Sequence, residues 1–171
     1  LFTDIRGSSG LISTTPPREF FILLNQLLSS QAREIGRFEG SVIKYTGDGV
    51  MAIFRGMGRS YLALSCALEL ARNRADRALP FGTGVAQGLV LAGLIGDSDG
   101  AGQRRQYDVI GDTVHLAARL CSNAELGEVI TTSSIHALAK LDAVSGRHIG
   151  PVSIRGFDNE IDCISFRPSD R

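Results

Sequence analysis

The chain has 171 residues, 43% of them hydrophobic and 21% charged, with 18 basic residues against 18 acidic ones. That length suits one ordinary domain with its own core, and the composition is that of a globular rather than a disordered chain. Balanced charge gives no net field toward nucleic acid or an anionic membrane, so a polyanionic ligand has to be held by locally placed cations. The three cysteines, Cys66, Cys121 and Cys163, are far apart, odd in number and without metal-binding spacing, which points to a reducing, cytoplasmic setting. No apolar run approaches the roughly 20 residues a membrane helix needs, so no membrane contact is expected of this segment. The chain opens on Leu1, directly in strand-like sequence. It reads as a piece of a longer protein, with an upstream regulatory domain expected in the whole.

Leu1 to Ile5 reads as the end of a buried strand, followed by a polar loop from Gly7 to Gly10. Thr15-Pro16-Pro17 announces a helix, with a cap-capable residue and a proline at its start. Phe20, Leu24, Leu27, Leu28 and Ile35 fall on one helical face, and Gly40 ends the element. Ser41–Thr46 and Val50–Phe54 are β-prone runs on either side of Gly47-Asp48-Gly49, a strong hairpin signal. A second amphipathic helix is expected next, with Tyr61, Leu64, Leu68 and Ala71 on its buried stripe. Phe81 to Ile95 reads as a long bent strand or a strand pair, its glycines marking kinks or close backbone approach.

Arg104–Ile110 is another predicted strand, and Gly111-Asp112 leads into a helix to about Glu125. Glu128–Thr132 is strand-like, Ser133–Leu141 a short helix, and Arg147–Phe166 two closing strands. The expected fold class is α+β: a ferredoxin-like split βαβ core (βαββαβ) with C-terminal strand-helix additions. The sheet should be mostly antiparallel with helices on one face, and residues 1–171 should form a single domain.

Asp4 lies in an otherwise apolar run, where a charge is costly unless paired or bound to a metal. Asp48 sits at the hairpin tip. In a split βαβ sheet the first strand and the central hairpin are neighbours, so both carboxylates can meet at one edge. Together they make a hard-oxygen site for Mg²⁺ or Mn²⁺ that also needs phosphate oxygens. Taken singly, Asp48 is also a turn former and Asp4 also a structural carboxylate. Gly7, Ser8 and Ser9 can offer backbone N–H groups and hydroxyls to phosphate.

These residues carry a resemblance. Phe2-Thr3-Asp4-Ile5-Arg6-Gly7 resembles the first metal motif of the class III nucleotidyl cyclases, and Lys44 to Phe54 is similar to their second. Gln106 to Arg119 resembles the third motif, and Ile154-Arg155-Gly156-Phe157 the closing-strand signature. The four motifs stand in the family order and cover nearly the whole chain.

The resemblance implies an adenylate cyclase that converts ATP to 3′,5′-cyclic AMP and pyrophosphate, with two divalent metal ions as cofactors. Asp4, Asp48 and Ile5 would hold the metals, and Gly7, Ser8, Ser9 and Arg155 would meet the phosphates. Lys44 and Asp108 would read adenine, whereas members that use GTP carry Glu and Cys at those places. His115 and Arg119, four residues apart on one helix face, would meet the transition state. At position 115 most active members carry Asn; imidazole keeps one hydrogen-bond donor but differs in shape and can change charge. The alternative is a weak or inactive cyclase-homology domain that binds nucleotide or dimerises. The family's sites lie between two head-to-tail domains, and one chain with both residue sets implies a homodimer. The Gly-Gly-Asp/Glu-Glu-Phe tip of diguanylate cyclases is absent.

Overall fold

The computed structural model describes residues 1–73, 79–96, 105–141 and 144–167. β1 (Phe2–Ile5) alternates strictly, with Thr3 and Ile5 buried on one face and Phe2 and Asp4 turned to the other. Gly7, left-handed at φ +67°, swings the chain into α1 (Ser8–Thr14). Ser8, Ser9 and Gly10, expected as loop, are therefore the first turn of a helix. The hydroxyls of Ser13 and Thr14 donate back to the carbonyls of Ser9 and Gly10, and Leu11 packs on the core. Main-chain bonds from the Gly10 and Leu11 N–H groups to the Gly7 carbonyl, at 3.0 and 3.1 Å, close the first turn, and with the Leu11 anchor they outweigh the loop propensity of the composition.

α2 (Pro17–Arg37) starts at its proline as the sequence predicts and buries Leu27, Gln31 and Ile35, a column spaced by four. Gln31 is the polar member of that column. Its Oε1 accepts from Thr3 Oγ1 at 2.7 Å, and the same Oγ1 accepts from the Val50 N–H at 3.1 Å. The pin joins helix and sheet with its polar atoms satisfied.

β2 (Ser41–Tyr45) and β3 (Gly49–Ile53) form the expected hairpin. Its positive φ, +89°, falls on Gly47, a left-handed conformation that favours glycine, and Asp48 follows it at the tip. α3 (Arg59–Arg72) buries Leu64, Cys66, Ala67 and Leu70. The 81–95 segment is a strand pair: β4 (Phe81–Val85) lies in the main sheet and β5 (Leu91–Ile95) leaves it. β5 pairs antiparallel with β6 (Gln106–Ile110) as a separate two-stranded arm. Arg104, expected in that strand, lies outside the described residues.

α4 (Asp112–Asn123), β7 (Val129–Thr132), α5 (Ser133–Ala139), β8 (Arg147–Val152) and β9 (Ile161–Phe166) complete the chain. The main sheet runs β2-β3-β1-β4-β7-β9-β8. Its first four strands are antiparallel neighbours in the order of a split βαβ core, β4 pairs parallel with β7, and the rest are antiparallel. The fold is thus α+β with a mostly antiparallel sheet.

α2, α3 and α5 share one core with the sheet face that carries Ile5, Val50, Phe81 and Val85. The expectation of helices on one face holds for them. α4, beyond the split βαβ core, lies on the opposite face. Gly82 and Gly84 of β4 admit it: a Cβ at Gly84 would lie 2.2 Å from the Cys121 N and 2.3 Å from the Ala117 carbonyl oxygen. There Leu120, Ala124, Ile130, Ile154 and Cys163 form a second, smaller core.

Candidate active site

The hairpin register brings the two aspartates together. Asp4 pairs with Gly49, so Asp48, one residue earlier at the tip, arrives beside Asp4. Burial, then the charge and hydrogen bond of Asp48, push the Asp4 carboxyl up to about 6 against the opposing pull of Arg6. Two like charges in contact make room for a proton or a cation between them. Hard carboxylate oxygens in this arrangement fit Mg²⁺ or Mn²⁺. Among the described residues no group of three or more His, Cys, Asp or Glu gathers, so further ligands would be main-chain, water or substrate oxygens.

A second pair lies between β2 and the arm. Lys44 Nζ donates to Asp108 Oδ2 at 2.6 Å, and Asp108 Oδ1 accepts from the Val109 N–H at 2.8 Å. Hydrogen bonding from Lys44, then from Val109, holds the Asp108 carboxyl below the usual carboxylate range. A β-bulge makes the pairing possible. The register shifts between Val42 and Lys44, so Val42 opposes Ala52 while Lys44 opposes Met51. Two residues that regular alternation would put on one face thus point to opposite faces: Val42 to the α2 core, Lys44 to the arm.

His115 and Arg119 sit on the exposed side of α4, and neither side chain has a partner among the described residues. Arg155 is exposed in the turn between β8 and β9, anchored by buried Ile154 and a Phe157 N–H to Ile154 carbonyl bond of 3.0 Å. Gly7, Ser8 and Ser9 lie where β1 passes into α1, directly after Arg6. The structure therefore groups Asp4 with Asp48 and Lys44 with Asp108, and leaves His115, Arg119 and Arg155 facing outward. A cavity of about 250 Å³ lined by Phe2, Met51, Val85, Val109 and Ala117 contains none of these residues.

Sequence reasoning passed over Arg6 as a partner. Its guanidinium donates to the Asp4 carboxylate at 2.5 Å and to the Ser122 carbonyl of α4 at 3.1 Å. The signal was available, because residues two apart at a strand end share a face.

A family profile described as the adenylate and guanylate cyclase catalytic domain matches residues 1–166. The chain belongs to that family: it is a nucleotidyl cyclase catalytic domain. The adenylyl cyclase CyaB from P. aeruginosa is 26% identical, covering 99% of this chain and 93% of its own at a TM-score of 0.85. The guanylyl cyclase Cya2 is 23% identical, covering 96% and 88% at a TM-score of 0.84, a likeness of fold alone. The uncharacterized protein Rv1318c of Mycobacterium tuberculosis is 35% identical over 176 residues, which is 94% of this chain. The chain spans only 31% of that relative's length.

Proposed function

We propose that the chain is an adenylate cyclase domain, converting ATP to 3′,5′-cyclic AMP and pyrophosphate. Fold does not choose the base, since an adenylyl and a guanylyl cyclase match it almost equally well. The observation that carries the choice is the Lys44–Asp108 ion pair. It places an acceptor and a donor side by side: Asp108 takes a hydrogen bond from the adenine amino group, and Lys44 donates to ring N1. Guanine offers a carbonyl and a protonated nitrogen there and leaves both groups mismatched, a costly arrangement in a desolvated pocket.

In the reaction the ribose 3′-hydroxyl oxygen bonds to the α-phosphorus and loses its proton, and the bond from that phosphorus to the bridging oxygen breaks to release pyrophosphate. Asp4, Asp48 and the main-chain carbonyl of Ile5 would hold two divalent cations, Mg²⁺ or Mn²⁺, whose chemistry when bound is Lewis-acid polarisation of the hydroxyl and phosphate oxygens. Arg119 meets the negative charge that builds on the phosphate oxygens, and His115 donates to the ribose or the same oxygens. Gly7, Ser8, Ser9 and Arg155 hold the terminal phosphates.

A head-to-tail homodimer supports this division of labour. The arm exposes Leu91 by 73% and Leu94 by 67%, and a lone two-stranded ribbon with apolar faces needs covering. The reading treats residues 1–171 as one catalytic domain in the cytoplasm, with a regulatory domain upstream in the whole protein. Three free, buried cysteines agree with a reducing compartment. No helix among the described residues is long and apolar enough to cross a membrane.

His115 favours a second reading, a domain that binds nucleotide without cyclising it. Incubating the purified chain with Mn²⁺ and either ATP or GTP, and measuring cyclic nucleotide and pyrophosphate, decides. Cyclic AMP in preference to cyclic GMP, abolished by Asp48→Ala, is the expected result. Nucleotide binding with no product supports the second reading, and cyclic GMP as the main product overturns the base assignment.

A further inference from the structure

Arg6 connects two parts of the site, the Asp4 carboxylate of β1 and the last turn of α4. It follows Asp4 by two residues and is only 23% exposed. One terminal nitrogen holds the Asp4 carboxylate, the other donates to the Ser122 carbonyl in the last turn of α4, and Nε lies 3.3 Å from the Asp4 main-chain oxygen. The planar fork of a guanidinium lets one side chain serve acceptors in two elements at once, which a lysine cannot do. The carbonyl end of α4 is also the negative end of its dipole, so that contact favours a cation whether or not Asp4 is engaged.

We propose that Arg6 is a tethered counter-cation for Asp4, displaced when a divalent ion enters, and that its bond to Ser122 passes this displacement into α4, the helix of His115 and Arg119. The proposal rests on the reading of Asp4 and Asp48 as a metal pair. A guanidinium and a divalent ion compete for the same carboxylate, and their mutual repulsion a few ångström apart weakens metal binding while Arg6 stays in place. Arg6 is thus a positioning residue that acts through Asp4 and α4. In a head-to-tail dimer the carboxylates of one chain and its α4 serve different substrate molecules, so Arg6 joins one site to the other.

Mn²⁺ titration of the nucleotide-free protein at pH 8, with free ion counted by paramagnetic resonance, measures the competition. Amide hydrogen exchange at residues 119–123, with and without Mn²⁺, measures the coupling. Arg6→Gln should tighten Mn²⁺ binding by about fivefold, the order expected for removing one unit charge from beside a partly solvated divalent site. Arg6→Lys keeps the charge and should stay within about twofold of the parent. Mn²⁺ should change exchange in the last turn of α4 in the parent and in neither variant.

Unchanged or weaker Mn²⁺ binding in folded Arg6→Gln overturns the counter-cation role. A full exchange response in Arg6→Lys overturns the coupling, and that variant decides alone should Arg6→Gln not fold. If the parent binds no more Mn²⁺ than Asp48→Ala, the metal pair itself falls, and the role of Arg6 with it.

Discussion

Asp108 and His115 lie three or four residues to either side of the start of α4, yet their surroundings differ in ways that suit the separate roles proposed for them. Asp108 is fixed by Lys44 and by a backbone N–H, so it is preorganised before substrate arrives. Asp108→Ala should lower kcat/KM for ATP by roughly ten- to a hundredfold and erode the preference over GTP, read from steady-state kinetics with both nucleotides. His115 is exposed and unpartnered, free to take up a contact that forms late in the reaction. His115→Ala should therefore depress kcat by roughly ten- to a hundredfold with little rise in KM, and His115→Asn should raise turnover. An unchanged kcat in His115→Ala would remove the imidazole from the chemistry. Both residue types were legible in the sequence, but their fixed and free states were not, because each depends on what the neighbouring elements bring within reach.

Among the elements, the join between β7, β9 and the loop after α4 is held by one buried carboxylate. Glu128 is 4% exposed and accepts from the Glu125 N–H at 2.8 Å, the Ser165 hydroxyl and Arg167 Nε at 3.3 Å. Burial pushes its carboxyl up, but the bonds from Glu125, Ser165 and Arg167 together outweigh this and hold it below the usual range. A carboxyl depressed on folding stabilises the protein above its unfolded value, and that contribution is lost as the pH falls through the folded value. Glu128→Gln should cost about 1–3 kcal/mol at pH 7, with the gap to the parent closing below about pH 4. Thermal unfolding of both proteins at pH 7 and pH 3.5 tests this. A gap that stays constant with pH would mean that shape, not charge, sets the cost. Element boundaries were read well wherever the pattern was local, as with Pro17 opening α2 and Gly47-Asp48-Gly49 turning the hairpin. They were read less well at Ser8–Gly10, where main-chain bonds to the Gly7 carbonyl and the packing of Leu11 make a helix from residues that usually mark loops.

For the whole molecule, the arm is the part left uncovered. Leu91→Glu with Leu94→Glu should leave the fold intact, since both side chains are exposed in one chain, and should convert the proposed dimer to monomer in sedimentation. Cyclase activity should fall with it, because in the proposed head-to-tail arrangement each site draws on both copies. A double variant that stays dimeric would move the interface elsewhere.

The sequence alone determined the α+β class, the hairpin and the family, and it singled out every candidate residue but Arg6, since these rest on local periodicity and on motif order. The tertiary structure decided how those residues meet. The bulge at Val42–Lys44 turns the lysine from the α2 core toward Asp108, the bare backbone at Gly82 and Gly84 lets α4 lie on the far face, and Arg6 reaches from β1 to Ser122. Each of these depends on atoms brought together from distant parts of the chain, and a repeat read along one strand or helix holds no record of them.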